Sequence, residues 1–475
     1  MKCESCKSMR LYCCGFNGFG QVSPSKQIDT TGYTLFPLKN VTDVSFSWNY
    51  MVVLTGTDVY VSGFVEDESN IRKKLILGDE ERAIQAACSS SRALILTDSG
   101  ECWQYISSTG ALKKLPNFVN VETEMSTSDD EKETVNKQCR HGKRIQDGAL
   151  PNSSSGESHQ KIVKICCGEA IHVAVTAAGC AFSIPSPLPL TKHRVTAVAC
   201  GIEHCLLLTD AGTVYSWGTG TRGQLGLGTF ENEEKPCEVE VLSGLHVTFV
   251  AAGGWHSAAV TLSGDLYMWG WNNSGQLGRP AFRRRKSANG RLDDSSSTAL
   301  ERKLSEKGTA RSPADKGGDV DDSGFSQIGC RKYDESSGVH SDENKAKKRK
   351  AGADEDDAFK TDEKDSSFEK DPSTLIGVPM PVDFPSGIYA NVKEVGCGSR
   401  HTIVLLDDGS VWGCGWNAYG QLGKRPSVLL NVDEMTRLTL PSASSNGETG
   451  SLKVVGVRCG AWNSGLLVED DLSAC

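Results

Sequence analysis

Residues 199–226 read ACGIEHCLLLTDAGTVYSWGTGTRGQLG, and two later stretches fall on them without a gap: AGGWHSAAVTLSGDLYMWGWNNSGQLG at 252–278 and GCGSRHTIVLLDDGSVWGCGWNAYGQLG at 396–423. Counted from His204, His256 and His401, a glycine stands three residues before (Gly201, Gly253, Gly398) and another eight after (Gly212, Gly264, Gly409). The register runs on through Gly218, Gly270 and Gly415 to Gln224, Gln276 and Gln421. Within each copy an apolar run such as CLLLT, a turn at DAG, LSG or DDG, and an alternating TVYSW describe short strands joined by tight turns. A unit this short cannot bury its own apolar face, so the copies must stack or close in a circle. Four-stranded blades around an axis do this and leave only short, protected edges.

The same ruler finds weaker copies. CSSSRALILTDSG puts Arg92 at the histidine position, CGEAIHVAVTAAG puts Ile171 there and His172 out of register, SFSWNYMVVLTGTDVY puts Asn49 there, and RCGAWNSGLLVED puts Asn463 there. Seven copies result. Near the amino terminus, YCCGFNGFGQV (12–22) matches only the second half of a copy: Gly15, Phe16 and Asn17 fall on Gly270, Trp271 and Asn272, and Gly20 with Gln21 on Gly275 with Gln276. Its first half lies at the other end, in VVGVRCGAWNSGLLVED. The expectation is an all-β, seven-bladed β-propeller in which amino- and carboxyl-terminal strands share the closing blade, so that no edge is left open.

Composition agrees with a turn-rich β protein: 50 of 475 residues are glycine, against an average of about 7%. The segment MKCESCKSMR has no apolar core of a signal peptide, and no run is long enough to cross a bilayer, so a soluble intracellular protein without membrane contact is expected. Eighteen scattered cysteines then read as reduced thiols packed as small hydrophobes. Cys3 and Cys6 have C-x-x-C spacing, but no second pair completes four zinc ligands nearby, and no metal is expected.

Two polar stretches interrupt the copies. Residues 126–160 read as an exposed loop, and 279–372 carry 21 basic and 21 acidic residues with no tryptophan, the composition of a disordered insertion. All nine tryptophans lie in the copies. The chain thus divides into propeller 1–278, insertion 279–372 and propeller 373–475. Because the insertion is neutral, the formal charge of −9 belongs to the propeller, which excludes a broad phosphate-binding surface. Basic runs remain in the insertion, at 282–286 and at Lys345, Lys347, Lys348, Arg349 and Lys350. The second run reads as a nuclear import signal, or as a solvated charge run partly neutralised by the acidic run 354–357.

G-x-x-H followed by G-x-[LV]-[YW]-x-[WC]-G and G-Q-L-G resembles the regulator of chromosome condensation repeat family. The resemblance implies a seven-bladed propeller, in agreement with the seven copies. GFNGFGQ, SWNY, AAGGWHS, MWGWNNSGQL, CGSRHT and CGAWN further resemble one small member of that family. This implies a chromosome-associated nuclear protein that partners a JmjC-type histone lysine demethylase and acts in heterochromatin transcription and chromosome segregation, with direct chromatin or histone contact also open. The founding member's activity implies an alternative, guanine-nucleotide exchange on a small GTPase. That member uses an inserted β-wedge, for which the 33 residues from Ile171 to His204 leave little room. Its basic amino-terminal tail is matched here only by Lys2, Lys7 and Arg10.

No enzyme and no cofactor are expected. Three equivalent histidines around a ring cannot converge on one substrate, so His204, His256 and His401 read as buried residues that staple blade to blade. The recurring glycines serve φ > 0 turns and close backbone contacts. GTGTRGQLGLG leaves a strand without opening a helix and lacks a phosphate-loop lysine. Trp271 and Trp416, just after the inner strands of their copies, read either as packing between blades or as anchors for a protein partner. The propeller itself is expected to be monomeric.

Overall fold

The computed structural model describes residues 9–24, 27–78, 81–116, 161–188, 193–279, 374–385, 387–388, 390–425, 430–441 and 452–469. The loop 126–160, the insertion 280–372 with Lys345, Lys347, Lys348, Arg349 and Lys350, and Cys3 with Cys6 lie outside them. Seven four-stranded antiparallel sheets form a β-propeller. Blade four shows the plan: Val195–Cys200, His204–Thr209, Val214–Gly218 and Glu233–Glu238 pair in that order. The first strand of each blade touches the first strands of its two neighbours, and that of the closing blade (Lys453–Cys459) meets that of blade one (Val41–Phe46). First strands therefore line the axis.

The core lies between blades rather than within them. Blades five and six share one cluster built around Leu266, Met268, Val404, Leu406 and Trp412, and blades one and two share another around Tyr50, Val52, Ile95 and Tyr105. A blade is thus flanked by apolar faces that only a neighbour covers. At about 1.5–3 kcal/mol per large buried side chain, each seam outweighs the other local interactions described below.

The closing blade is assembled from both ends of the chain, in the order Asp29–Leu35, Met9–Phe16, Asn463–Glu469, Lys453–Cys459. Pairing runs from Met9 opposite Glu469 to Gly15 opposite Asn463, and Phe16 N donates to Trp462 O at 3.0 Å. The half-repeat at 12–22 is completed as its sequence requires.

Blade one corrects the register of its copy. Phe46 pairs with Met51 as Cys200 pairs with Cys205, and Ser47 N donates to Tyr50 O at 2.8 Å as Gly201 N does to His204 O. Tyr50, not Asn49, stands at the histidine position. Tyr50 pairs with Gly63, thirteen residues on, where His204 pairs with Gly218, fourteen on; the shorter turn shifts the ruler by one. Arg92, Ile171 and Asn463 do occupy that position, by the same hydrogen bond from Ser89, Gly168 and Gly460.

On the axis, Arg458 of the closing blade bonds Asp43 of blade one (3.0 Å) and Glu394 of blade six (2.7 Å). All thirteen described cysteines are free thiols, and burial raises those of Cys13, Cys88 and Cys167.

Candidate functional site

His204, His256 and His401 open the second strands of blades four, five and six and are fully buried. Each reaches the next blade: Nε2 lies 2.9 Å from Ser257 Oγ, 2.9 Å from Thr402 Oγ1 and 3.0 Å from Ser464 Oγ, respectively. The Ser257 and Thr402 hydroxyls donate onward to the carbonyls of Gln224 and Gln276, both at 2.8 Å. They must then accept from the imidazole, which places its proton on Nε2. Burial holds the three imidazoles neutral, with pKa values lowered to about 3, 3 and 4. A Cβ on Gly201 would come 2.3 Å from both His204 Cε1 and Gly253 O, and Gly253 and Gly398 are as tightly covered. Glycine and histidine recur together because the ring lies on the glycine.

The glutamine three residues after the last loop turn begins has its own task. Gln224 Oε1 accepts from Arg222 N (2.8 Å), Gln276 from Ser274 N, Gln421 from Tyr419 N and Gln21 from Phe19 N, so the loop after the third strand takes one shape in four blades. Arg222, Tyr419 and Phe19 therefore stand at equivalent places.

One face of the ring collects these loops. The residue after the third-strand partner of the histidine position, a glycine except for Ile106 in blade two, donates its N–H to the carbonyl of the residue just before the histidine position: Trp271 to Trp255, Trp416 to Arg400, Phe16 to Trp462, Phe64 to Asn49, Thr219 to Glu203 and Ser107 to Ser91. Six of the seven blades so present a side-by-side pair. Gly270 (φ +106°) shows why a glycine precedes it: a Cβ there would sit 2.5 Å from Trp255 O.

The pairs differ around the ring. In blades five, six and seven they are Trp255/Trp271, Arg400/Trp416 and Trp462/Phe16. Trp255 and Trp271 meet edge to face at 5.4 Å; Arg222 lies over both, 4.9 and 4.2 Å away, and Arg400 lies 5.0 Å over Trp271 and 5.9 Å over both Trp416 and Trp462. Tyr419 continues from Trp462 to Phe16, and Phe19 from Phe16 to Trp48 and Phe64, at centroid distances of 5.1–6.0 Å. Trp271 and Trp416 are half-buried, and Trp48 is 43% exposed. Beside Trp271 a cavity of about 220 Å³ is lined by Thr221, Arg222, Trp271, Thr374 and Leu375.

Trp271 and Trp416 are thus packed in the rim but not sealed inside a seam. Arg222, Trp255, Arg400 and Trp462 escaped the sequence reading, although three of them directly precede a histidine position in consecutive blades, a signal visible once the copies are stacked. Among the described residues no three His, Cys, Asp or Glu side chains are grouped to hold a metal, and no helix is long and apolar enough to cross a membrane.

Regulator of chromosome condensation (RCC1) repeat descriptions match residues 195–224, 211–260, 247–276, 392–421 and 408–467. Over these residues the chain is similar to RCC1 repeats. Human RCC1 domain-containing protein 1 is 35% identical over 274 residues, 57% of this chain and 55% of that protein. Its mouse counterpart is 33% identical over 291 residues, 60% and 59%. The match therefore spans little more than half the length of these curated relatives. The crystal structure of Prp20p from Saccharomyces cerevisiae, reported with its binding properties to Gsp1p and histones, superposes with a TM-score of 0.60 at 14% identity, covering 98% of this chain and 93% of the other. That likeness shows the RCC1-type propeller fold.

Proposed function

We propose that this RCC1-repeat propeller is a non-enzymatic docking platform of the nucleus, and that the half-rim from Arg222 to Trp48 is its docking face. The observation that carries this reading is the unbroken run of tryptophan, arginine, tyrosine and phenylalanine across five adjacent blades. These residue types dominate binding energy at protein interfaces. Trp271 and Trp416 are its anchors, and the propeller acts as a monomer. A JmjC-type histone lysine demethylase on chromatin is the partner, with heterochromatin repression and chromosome segregation as the processes served and Lys345, Lys347, Lys348, Arg349 and Lys350 as the import signal. Support comes from the likeness to RCC1 domain-containing protein 1, and the histone binding of Prp20p supports a chromatin setting.

Affinity capture from nuclear extract tests the assignment. The intact chain should retain a JmjC demethylase or histones, and a Trp271→Ala/Trp416→Ala form should lose them; equal recovery by the two, or recovery of neither partner, sinks it. Against nucleotide exchange stands blade three, where only residues 188–194 separate the last strand from the first strand of blade four, too few for a two-stranded wedge. Accelerated nucleotide release from a nuclear GTPase would restore that reading.

A further inference from the structure

We propose that the half-rim takes an acidic linear peptide, with a carboxylate bound at the edge of the Arg222 guanidinium and a neighbouring bulky apolar side chain in the cavity beside Trp271. This rests on the docking role of the rim argued above and specifies the chemistry of the partner.

Four features converge on it. Arg222 lies 4.2 Å over the Trp271 ring, so an indole covers the face of its guanidinium and the N–H donors left are those around its edge. A planar fork of that kind matches a carboxylate with two parallel hydrogen bonds. Its position is set from below, because Arg222 N is tied to Gln224 Oε1 at 2.8 Å. Among the described residues no carboxylate forms an ion pair with it.

The second feature is a like charge. Arg400 shares the same indole at 5.0 Å. Burial, and then Arg400, push the Arg222 pKa down, while the Glu203 carboxylate acts in the opposite direction. Two guanidiniums around one ring repel, and an anion bound between them relieves the repulsion. Third, the cavity of about 220 Å³ exceeds the roughly 150 Å³ that suffices for benzene, so a Leu or Phe side chain fits against Trp271 and Leu375. Fourth, two cations border the cavity: blade six brings Arg400 to the turn before its histidine position and the loop of blade four sends Arg222 over blade five, with the Glu203 carboxylate as an opposing charge. An acidic ligand is drawn to this pair of cations.

The probe is a fluorescein-labelled octapeptide, Glu-Asp-Glu-Leu-Phe-Asp-Glu-Glu, titrated with the full chain and followed by anisotropy. Saturable binding is expected, weakening as salt rises. The same peptide with Gln and Asn for Glu and Asp should bind at least about tenfold more weakly, and Arg222→Glu should cost at least about tenfold without changing the melting temperature. Arg222→Lys, which keeps the charge and loses the planar fork, should fall between the two proteins. Equal affinity for the amide peptide, no saturable binding, or unchanged affinity in Arg222→Glu would overturn the proposal. So would a concentration-dependent dimer in sedimentation that Arg222→Glu abolishes, since the rim would then belong to a second copy. If the peptide fails while capture from extract still depends on Trp271 and Trp416, the docking face stands and the acidic chemistry goes; if both fail, the face goes too.

Discussion

Blades four to six and blades two and three build the same ring with different joints. In the first group a buried imidazole crosses each seam to a hydroxyl, and from His204 and His256 that hydroxyl passes on to a glutamine carbonyl. In the second, no imidazole crosses. Gln85 instead spreads its side-chain amide over the backbone N–H and C=O of Ile165, both at 3.0 Å, and Cys200 N is satisfied by Cys166 Sγ at 2.8 Å. The outer strands are shorter too: Leu112–Lys114 closes blade two and Ser186–Pro187 closes blade three. What the seam demands is that its buried polar groups be paired, and a glycine–histidine pair is one of at least two ways to pair them.

The comparison can be broken first at the joint that belongs to neither group. Deleting residues 9–22 strips the closing blade of its amino-terminal strand Met9–Phe16 and leaves Asn463–Glu469 unpaired on one side, so cooperative unfolding of the whole ring should be lost in thermal melts. A fully stable monomeric truncation would refute ring closure by this strand. Next comes Gly253→Ala. Its Cβ would meet Gly398 O at 2.3 Å and His256 Cε1 at 2.5 Å, which should cost about 3 kcal/mol or more in urea melts. At the matching place in blade two, Ser89 already carries a Cβ, and Ser89→Ala should cost no more than about 1 kcal/mol, the loss of its hydroxyl bond to Arg92 O.

His256→Ala removes a buried ring and its seam bond and should cost about 2–4 kcal/mol, whereas Arg92→Ala, at the same position of a blade without the staple, should stay within about 0.5 kcal/mol. A similar loss at both sites would erase the distinction between the joints. Acid sharpens it further. The three imidazoles stay unprotonated in the folded ring down to pKa values of about 3, 3 and 4, while in the unfolded chain they protonate near 6.5. Unfolding therefore takes up protons, and their contribution, complete above about pH 7, is lost as pH falls through 6.5 toward 4. At pH 5 each should cost on the order of 2 kcal/mol, and His256→Ala should show a flatter dependence of urea stability between pH 7 and 5. A smaller loss than at His256 is expected on the axis. Arg458→Met leaves Asp43 and Glu394 without their cation, though each keeps a backbone N–H donor, in a partly exposed site and should cost about 1–2 kcal/mol.

The sequence made the ring legible because its repeated residues answer to constraints repeated in every blade: a glycine under an imidazole, a glutamine closing a loop, a glycine at positive φ. The split closing blade was legible for the same reason, since Gly15, Asn17 and Gln21 obey those constraints without the strands before them. Asn49 was misplaced because a turn one residue shorter moves a fixed ruler, and only the pairing of Phe46 with Met51 resets it. The Asp43–Arg458–Glu394 clasp was not legible, because its members come from three blades and no repeated constraint selects them. Arg222 lay inside GTGTRGQLG, where the glycines drew attention and the arginine did not; its meaning depends on two tryptophans of the next blade. The rim is encoded by what varies at fixed positions, and repeats display first what stays the same.

The shared closing blade also has a consequence in time. Phe16 and Asn463, bonded side chain to backbone in the finished ring, are separated by 447 residues of chain. At the usual pace of about 5–20 residues per second, a ribosome needs roughly 20–90 seconds to make the second after the first. Throughout that interval the strand Met9–Phe16 has been synthesised and its partner has not, so the nascent chain carries an unsatisfied strand edge that invites pairing with other chains. A propeller closed in this way is vulnerable for most of its own synthesis.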